Sequence, residues 1–331
     1  MADLLTPSRM DAAFLDSYSR LEDDCALFDL TDRSAIVRLT GEDRKAWLQG
    51  QVTSDLRPMQ VGGSAEFCLC SSTGHLQAVC RVWHFENESL VVLDRAALPN
   101  LLERCQTMIV MEDVHFEDVT PLFRLLTVQG PAASQCLGSL FSLPTLDAGF
   151  GDPEGTVRCL RAKRTLFGGW DLLIDARFDA SELLAPVPVG AVEAYDLAAL
   201  EAGNPRWGVD NDAKTLPPEF GPSFEARHVS YHKGCYTGQE VLMRIHARGH
   251  TNRTWVSVLA EEPLEPGDAL FHLGKTEVGT IRTAHESPRW GFFGTATVRN
   301  QAAFEEEAVQ VVRGDRKFPA TSRLMPLSRL D

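Results

Sequence analysis

The sequence predicts an α+β protein whose last part is a small β domain. Helical and strand-like segments are mixed up to about residue 247, and only strand-like runs follow Asn252. The length of 331 residues, with 44% hydrophobic and 24% charged residues, is typical of a globular protein of two or three domains. We therefore expect two mixed α/β portions, residues 1–119 and 120–247, followed by a small β-barrel or sandwich at residues 248–331.

The first portion alternates between helical and strand-like periodicity. Leu98, Leu101, Leu102 and Cys105 recur at helical spacing, and Glu42 and Asp43 suit the N-terminus of a helix because its dipole is positive there. The predicted helices are 11–21, 42–49 and 95–107, and the predicted strands are 34–41, 65–71, 76–85 and 90–93.

The second portion contains three predicted strands, at 123–130, 156–161 and 170–174, and a helix at 189–202. Pro131 suits the first position of a further helix, where its missing N–H costs nothing. Residues 203–232 have little periodicity and many prolines and glycines, so we expect a loop. A loop of that length inside a compact protein is usually functional or disordered.

The pattern of apolar residues in the third portion predicts an all-β domain. Short apolar runs separated by Gly, Pro and Glu follow one another at the spacing of a small barrel or sandwich. The five predicted strands are 254–260, 269–274, 277–284, 292–298 and 308–312.

The charge of the chain disfavours direct nucleic-acid binding. Lys and Arg number 32 against 46 Asp and Glu, a net charge of −14, whereas general nucleic-acid binding depends on neutralising phosphates with cationic side chains. No apolar run approaches the ~20 residues that span a bilayer. The first residues include acids and no apolar signal-peptide region, so we expect a cytoplasmic protein with no membrane partner.

The eight cysteines do not predict a metal site. Cys68 and Cys70 lie two apart in a strand and so point to one face, but no second Cys or His pair follows at zinc-like spacing. Free cysteines often behave as small buried apolar residues. We expect that role for most of them and no bound metal.

The segment Lys233–Glu240, KGCYTGQE, is the densest candidate for chemistry. Thr237 and Glu240 fit a capping box at the start of a helix that runs to about His246. The positive helix end and Lys233 would then lower the pKa of the Cys235 thiol and favour the nucleophilic thiolate. The alternative is a capped helix with an inert buried cysteine, because capping boxes are common.

The same octapeptide resembles the signature of the YgfZ family, folate-binding proteins linked to iron–sulfur cluster assembly and repair. That family is related to the aminomethyltransferase, or T-protein, of the glycine cleavage system. Other matches follow in the expected order along most of the chain. They are Leu27–Leu56, the LEAGNP segment Leu200–Pro205, Pro218 with Glu219, and Asn252 with Arg253.

The resemblance implies two α+β portions around a central folate channel, with a C-terminal barrel. It implies tetrahydrofolate or a one-carbon derivative as cofactor, with the pterin bound by Glu201, whose carboxylate offers two acceptors to adjacent donors. Lys233 and Arg253 are predicted to bind the glutamate tail of folate. Tyr236 joins Cys235 and Lys233 as a candidate functional residue, and the remaining predicted cofactor-binding residues are Thr53, Asp55 and Gln239.

The sequence departs from its glycine-cleavage relatives at two positions. They place an acid after a Gly-Gly turn for chemistry on the folate nitrogen, but the matching stretch here, Gly74–Cys80, has no carboxylate. Ala199 stands where relatives often have Arg, two residues before Glu201. The resemblance therefore favours a folate-binding protein that supports iron–sulfur client proteins through Cys235. A folate-dependent methyl or aminomethyl transferase and an accessory factor of tRNA modification are the alternatives.

Overall fold

The computed structural model describes residues 10–141, 150–151, 156–272, 276–300, 303 and 306–327. Within those ranges the α-helices are Ala12–Asp23 (α1), Arg44–Gln51 (α2), Leu98–Met108 (α3), Ala133–Gly138 (α4), Ser181–Leu184 (α5), Val192–Glu201 (α6), Pro222–His228 (α7) and Gln239–Arg248 (α8). Short 3-10 helices occur at Thr31–Arg33, Arg95–Ala97, Thr120–Leu122 and Pro217–Phe220.

The strands form two open sheets and a barrel. The strands are Ala26–Asp29 (β1), Ser34–Thr40 (β2), Ser64–Cys70 (β3), Leu76–His84 (β4), Ser89–Asp94 (β5), His115–Asp118 (β6), Phe123–Gln129 (β7), Phe150–Gly151 (β8), Val157–Arg161 (β9), Gly169–Asp175 (β10), Arg253–Ala260 (β11), Ala269–His272 (β12), Thr276–Ser287 (β13), Gly291–Arg299 (β14), Glu307–Arg313 (β15) and Arg316–Leu324 (β16).

The first sheet has the order β3-β4-β5-β2-β6, and its neighbouring strands are antiparallel. One face packs against α2 and α3, through Trp47 and Leu48 of α2 and Leu101 and Cys105 of α3. The predicted helices and strands of this region are thus confirmed within a few residues, because alternating apolar side chains need one covered face.

The second sheet has the order β1-β7-β10-β9-β8 and includes a strand from the start of the chain. β1 pairs antiparallel with β7, Phe28 opposite Thr127. β1 is not among the predicted strands, because its four residues carry little periodicity. β1 lies in the predicted first portion but thus belongs to the second sheet, and α1, which precedes it, packs against α6.

The C-terminal strands close into a barrel of order β11-β14-β13-β12-β15-β16, with β16 pairing back to β11. The domain predicted as a small barrel or sandwich is therefore a barrel, with β16 as its sixth strand. β16 was missed because it contains Pro319, which cannot donate to a strand ladder and argues against a strand interior. The predicted α+β class with a C-terminal barrel is confirmed.

One apolar core joins all three parts. It contains side chains of both sheets, α1 and α6, together with Tyr236 and the barrel residues Trp255 and Phe293. The stretch 203–232, predicted as a loop, adds α7 and the 3-10 turn Pro217–Phe220 to this core. That prediction was wrong because Pro222 occupies the first turn of α7, where proline is tolerated. The helix expected at Pro131 begins at Ala133.

Candidate functional site

A cavity of about 440 Å³ lies between the first sheet and helices α6 and α7. We call it the central cavity. Much of its wall is apolar or aromatic, including Leu76, Val79, Trp207, Phe220 and Phe224. Phe220 and Phe224 contact each other with ring centroids 4.8 Å apart. Such a wall suits a flat, partly apolar ligand whose orientation is fixed by a few polar groups.

Several charged side chains on the remaining wall of the central cavity are paired with acids. Arg164 donates two 2.7 Å hydrogen bonds to the fully buried Asp171. Arg33 forms an ion pair with Asp196 of α6. Bidentate pairing of this kind holds a guanidinium in one orientation. The cavity thus presents fixed cations and carboxylates to a ligand.

Glu66 contributes a carboxylate from β3, directly opposite Arg81 in the β3–β4 register. Its side chain forms an ion pair with Arg81 and lies 3.9 Å from His228 Nε2 and 4.0 Å from Arg227. Burial opposes ionisation of Glu66, but Arg81, His228 and Arg227 outweigh it and lower its pKa. Glu66 is therefore a fixed anion in a cationic surround.

An open groove of about 660 Å³ shares Glu66, Arg81 and Lys163 with the central cavity. We call it the basic groove, because its charged lining consists of Arg81, Arg161, Lys163 and Arg227 against the single acid Glu66. Arg227 Nε is buried and has no hydrogen-bond partner among the described residues. In a chain of net charge −14, this groove is a local concentration of positive charge.

Sequence reasoning missed this cluster around Glu66. A signal was present, because Glu66 and Arg81 interrupt two otherwise apolar strands. Two charged residues in half-buried strands are unusual unless they are paired or functional. Only the strand register shows that they face each other.

Glu201, the predicted pterin ligand, lies at the C-terminal end of α6 and is fully buried. Its two carboxylate oxygens accept hydrogen bonds from Tyr18 (2.7 Å) and Ser287 (2.6 Å). It is not among the residues that line the central cavity, whereas Ala199, two residues earlier, is. Glu201 thus lies where the end of α6 meets α1 and the barrel.

The capping box predicted for the octapeptide is wrong. Helix α8 begins at Gln239, its N-cap is Gly238, and no side chain caps it. Gly238 has a φ of 86°, and a Cβ there would lie 2.5 Å from the carbonyl oxygen of Ser71. The close packing of the octapeptide on the β3–β4 turn therefore requires glycine and moves the helix start beyond Thr237.

Lys233 is buried and holds the octapeptide to the segment after α2. Its Nζ donates to the carbonyl oxygens of Gln49 (2.6 Å), Val52 (2.7 Å) and Ser54 (2.7 Å). Burial lowers the pKa of Lys233 to about 8. Because an ammonium has three donors, these three carbonyls use all of them. Lys233 has no remaining donor for a thiolate or a folate carboxylate.

All eight cysteines lie in the described part of the chain, and Cys235 alone among them is exposed. Burial raises the pKa of Cys70 and Cys105 to about 12 and raises that of Cys68 and Cys80 as well. Cys235 is thus the most accessible thiol of the protein. It does not line the central cavity.

Tyr236 and Gln239 differ in their surroundings. Tyr236 is buried in the core shared by the three parts, and its ring centroid lies 5.1 Å from Lys233 Nζ. Its hydroxyl is buried and has no hydrogen-bond partner among the described residues. Gln239 is half-buried at the first position of α8, and its N–H donates to the carbonyl oxygen of Tyr236.

Thr53 and Asp55 support the loop between α2 and β3. The Thr53 hydroxyl donates to the carbonyl oxygen of His228 at 2.5 Å and accepts from the N–H of Cys68 at 2.8 Å. Asp55 accepts hydrogen bonds from Gln49 and from Arg57, and these together lower its pKa despite some burial. Neither residue lines the central cavity.

Arg253 is also paired away from the central cavity. Its Nε donates a 2.9 Å hydrogen bond to Glu219, and its terminal nitrogens contact Asp212 at 3.4 Å. The sequence-predicted residues therefore form two groups, one around the octapeptide and one at the junction with the barrel. None of them lines the central cavity.

The stretch Gly74–Cys80 gives the central cavity only apolar side chains, namely Leu76, Val79 and Cys80. Gln77 Oε1 instead accepts a 2.9 Å hydrogen bond from Arg104. This segment therefore contributes no carboxylate to the central cavity.

Within the described residues, no group of three or more His, Cys, Asp or Glu side chains has the geometry to hold a metal ion. A membrane-spanning helix is likewise absent from that part of the chain, where every helix is too short or too polar.

Comparison with known proteins agrees with this architecture. Residues 5–155 match the family model described as the GCVT N-terminal domain. The chain is 26% identical over 309 residues to the tRNA-modifying protein YgfZ of Photorhabdus laumondii, covering 90% of this chain and 91% of that one. It is 28% identical over 312 residues to the protein of the same name from Yersinia enterocolitica, with the same coverage.

A solved structure shares the fold of nearly the whole chain. The glycine cleavage system aminomethyltransferase T from Bartonella henselae matches with a TM-score of 0.80 and 18% identity, covering 95% of this chain and 89% of that one. At this identity the likeness shows the fold alone. The sequence matches confirm the resemblance indicated by the octapeptide, since the chain is similar to the YgfZ proteins over most of its length, and it has an aminomethyltransferase-like fold.

Proposed function

We propose that this protein binds tetrahydrofolate, or a one-carbon derivative of it, in the central cavity. The observation that carries the proposal is the continuity of an aromatic cavity with a basic groove through Glu66, Arg81 and Lys163. Folate has the matching parts, a flat pterin and aminobenzoyl group joined to an anionic glutamate. The aminomethyltransferase-like fold supports the same ligand class.

In this proposal the glutamate tail lies in the basic groove. Lys163 and Arg227 line that groove, and the Nε of Arg227 has no hydrogen-bond partner among the described residues. By contrast, the Nζ of Lys233 is saturated by three carbonyls and Arg253 is paired with Glu219 and Asp212. The expectation that Lys233 and Arg253 bind the tail is therefore replaced. Guanidinium groups suit carboxylates because their N–H donors match both oxygens.

The pterin amino and ring N–H groups require acceptors in the apolar part of the site. Glu66 and Asp196 line the central cavity and offer carboxylate oxygens. Glu201 remains a candidate, but it would have to release Tyr18 or Ser287 to accept a pterin donor. A pocket that accepts hydrogen bonds from its ligand loses affinity sharply when one of the acceptors is removed from the protein.

The cellular role we propose is support of iron–sulfur cluster assembly or repair in client proteins, with Cys235 as the functional thiol. The exposure of Cys235, set against seven less accessible cysteines, supports it. An accessory role in tRNA modification is the second candidate, favoured by the names of the relatives. The two are compatible if a tRNA-modifying enzyme is among the iron–sulfur clients.

The proposal is tested first on the freshly purified protein. Mass spectrometry of released ligands should detect a reduced folate, and calorimetry with 5-formyltetrahydrofolate should give a dissociation constant in the micromolar range, about −8 kcal/mol. Absence of heat and of any thermal shift with every reduced folate would show that the folate proposal is wrong.

The cellular role is tested in a deletion strain. Iron–sulfur enzyme activities and the profile of modified tRNA nucleosides should both fall and should recover with the wild-type gene, but not with Cys235→Ser. A fall in the modified nucleosides alone would favour the tRNA role. No change in either would contradict both roles, whatever the outcome of the folate measurement.

A further inference from the structure

His228 is a buried histidine of the central cavity whose ring is held in one orientation. It is the last residue of α7, is 3% exposed and lines the cavity. Its ring stacks on that of Phe224 with centroids 3.9 Å apart, and its Nδ1 lies 2.9 Å from the carbonyl oxygen of Phe224. Because a carbonyl oxygen can only accept, Nδ1 carries the hydrogen of that bond.

The second ring nitrogen of His228, Nε2, is a hydrogen-bond acceptor without a donor. Burial lowers the pKa of His228 to about 4, although the charge of Glu66 acts in the opposite direction, so the ring is neutral at pH 7. A neutral imidazole carries a single N–H, which here is on Nδ1. Nε2 makes no hydrogen bond to the described residues, and Glu66 Oε2 lies 3.9 Å from it.

Glu66 provides a second acceptor without a donor. Its Oε1 accepts a hydrogen bond from Arg81, which fixes the carboxylate. Its Oε2 lies 3.9 Å from His228 Nε2 and 4.0 Å from Arg227, and both distances exceed that of a hydrogen bond. A ligand nitrogen that carries hydrogen can lie about 2.9 Å from both acceptors at once. Buried acceptors of this kind normally have such a partner.

This acceptor pair lies where the central cavity meets the basic groove. Glu66 lines both, and His228 lines the cavity. With the pterin in the aromatic cavity and the glutamate tail in the basic groove, the pair faces the middle of the folate molecule. Between the pterin and the aminobenzoyl ring, tetrahydrofolate has one donor, the N–H of the linking nitrogen N10.

We propose that Glu66 and His228 select folates whose N10 carries a hydrogen. This inference rests on the folate site proposed above and names the one-carbon states that the site accepts. Tetrahydrofolate and its 5-methyl and 5-formyl derivatives keep that hydrogen. In 10-formyl- and 5,10-methylenetetrahydrofolate a carbon atom replaces it, which leaves two acceptors of the protein without a donor. Sites that hydrogen-bond a ligand N–H discriminate strongly against analogues that lack it.

The test compares two isomers of equal composition and charge, 5-formyl- and freshly prepared 10-formyltetrahydrofolate, by calorimetry on the full-length protein. We expect the wild-type protein to bind the 5-formyl isomer about a hundredfold more tightly. His228→Phe keeps an aromatic ring beside Phe224 but removes Nε2. It should weaken binding of the 5-formyl isomer about tenfold and change binding of the 10-formyl isomer less than about threefold. His84→Phe, which alters a buried histidine outside the cavity lining, should change neither affinity.

The outcomes separate this inference from the folate proposal. If the wild-type protein bound both isomers equally, or if His228→Phe weakened the binding of both equally, the selection at N10 would be wrong while the folate site would stand. If neither isomer bound, the folate proposal itself would be wrong, and the selection with it. The comparison of isomers on the wild-type protein decides the matter even if His228→Phe folds poorly.

Discussion

The Tyr18 hydroxyl donates a 2.7 Å hydrogen bond to Glu201 Oε2, joining residues 183 positions apart. Ser287 of the barrel donates to the other oxygen at 2.6 Å. One buried carboxylate thus connects α1, α6 and β13. Burial raises the pKa of Glu201 to about 7, although the hydrogen bonds from Ser287 and Tyr18 act in the opposite direction.

This pKa predicts a pH-dependent stability. The folded protein holds the Glu201 proton more tightly than the unfolded chain, where the pKa is about 4.5. The stabilisation of the fold by protonated Glu201 is therefore complete below pH 4.5 and is lost as the pH rises through about 7. Glu201→Gln keeps a neutral side chain, so its free energy of unfolding relative to wild type should increase by about 2–3 kcal/mol from pH 5 to pH 8. Urea denaturation at several pH values measures this. Glu240→Gln, on the exposed surface of α8, is the control, and a pH-independent difference for Glu201→Gln would contradict the assignment.

The position proposed for the folate tail predicts a ligand-specific effect at Lys163. This residue is exposed and lines both the central cavity and the basic groove. Lys163→Ala should weaken binding of tetrahydrofolate about tenfold, or about 1.4 kcal/mol, and should leave a tetrahydropteroate without glutamate unaffected. Calorimetry with both ligands is the measurement, and Lys317→Ala in the barrel is the matched control. If Lys163→Ala weakened the binding of both ligands equally, the glutamate tail would not lie beside Lys163.

The apolar character of Gly74–Cys80 in the central cavity predicts that the protein does not transfer aminomethyl groups. The purified protein should not form 5,10-methylenetetrahydrofolate when it replaces the T-protein among the other glycine-cleavage components. Product formation above a no-enzyme control would show that a carboxylate elsewhere, such as Glu66, takes over that chemistry.

The exposure of Cys235 predicts selective alkylation. Iodoacetamide at pH 7 should label Cys235 before the other seven cysteines, which are buried or partly buried. Cys235→Ser should leave the melting temperature nearly unchanged, because little packing is lost, while failing to restore iron–sulfur enzyme activity in a deletion strain. Peptide mapping and complementation measure the two effects. If Cys235 were labelled late and Cys235→Ser complemented the deletion strain fully, Cys235 would have only a structural role.

The three carbonyl contacts of Lys233 predict a structural role for this residue. Lys233→Met leaves three carbonyl acceptors without their donor, so the free energy of unfolding should fall by about 2–4 kcal/mol. Lys45→Met, which removes contacts of a less buried ammonium to the carbonyl oxygens of Arg57 and Met59, should cost less. Urea denaturation compares them. If Lys233→Met kept full stability and only slowed alkylation of Cys235, Lys233 would act on the thiol instead.

Local patterns predicted most helices and strands correctly, because periodicity reports which face of each element is buried. They failed where an element is short or contains a residue that usually interrupts it. β1 has four residues, β16 includes Pro319, and α7 begins with Pro222. The capping box at Thr237 failed for a different reason, since packing against Ser71 requires Gly238 at the N-cap.

The fold class, the C-terminal β domain and the resemblance to the YgfZ proteins could be predicted from the sequence alone, because periodicity and the octapeptide are local properties of the chain. The tertiary structure decided which charged groups are available to a ligand. It saturates Lys233 with carbonyls, pairs Arg253 with acids and buries Glu201 under two hydroxyls. It brings Glu66, Arg81 and Arg227 together from β3, β4 and α7. These pairings depend on strand register and long-range packing, which residue spacing does not encode.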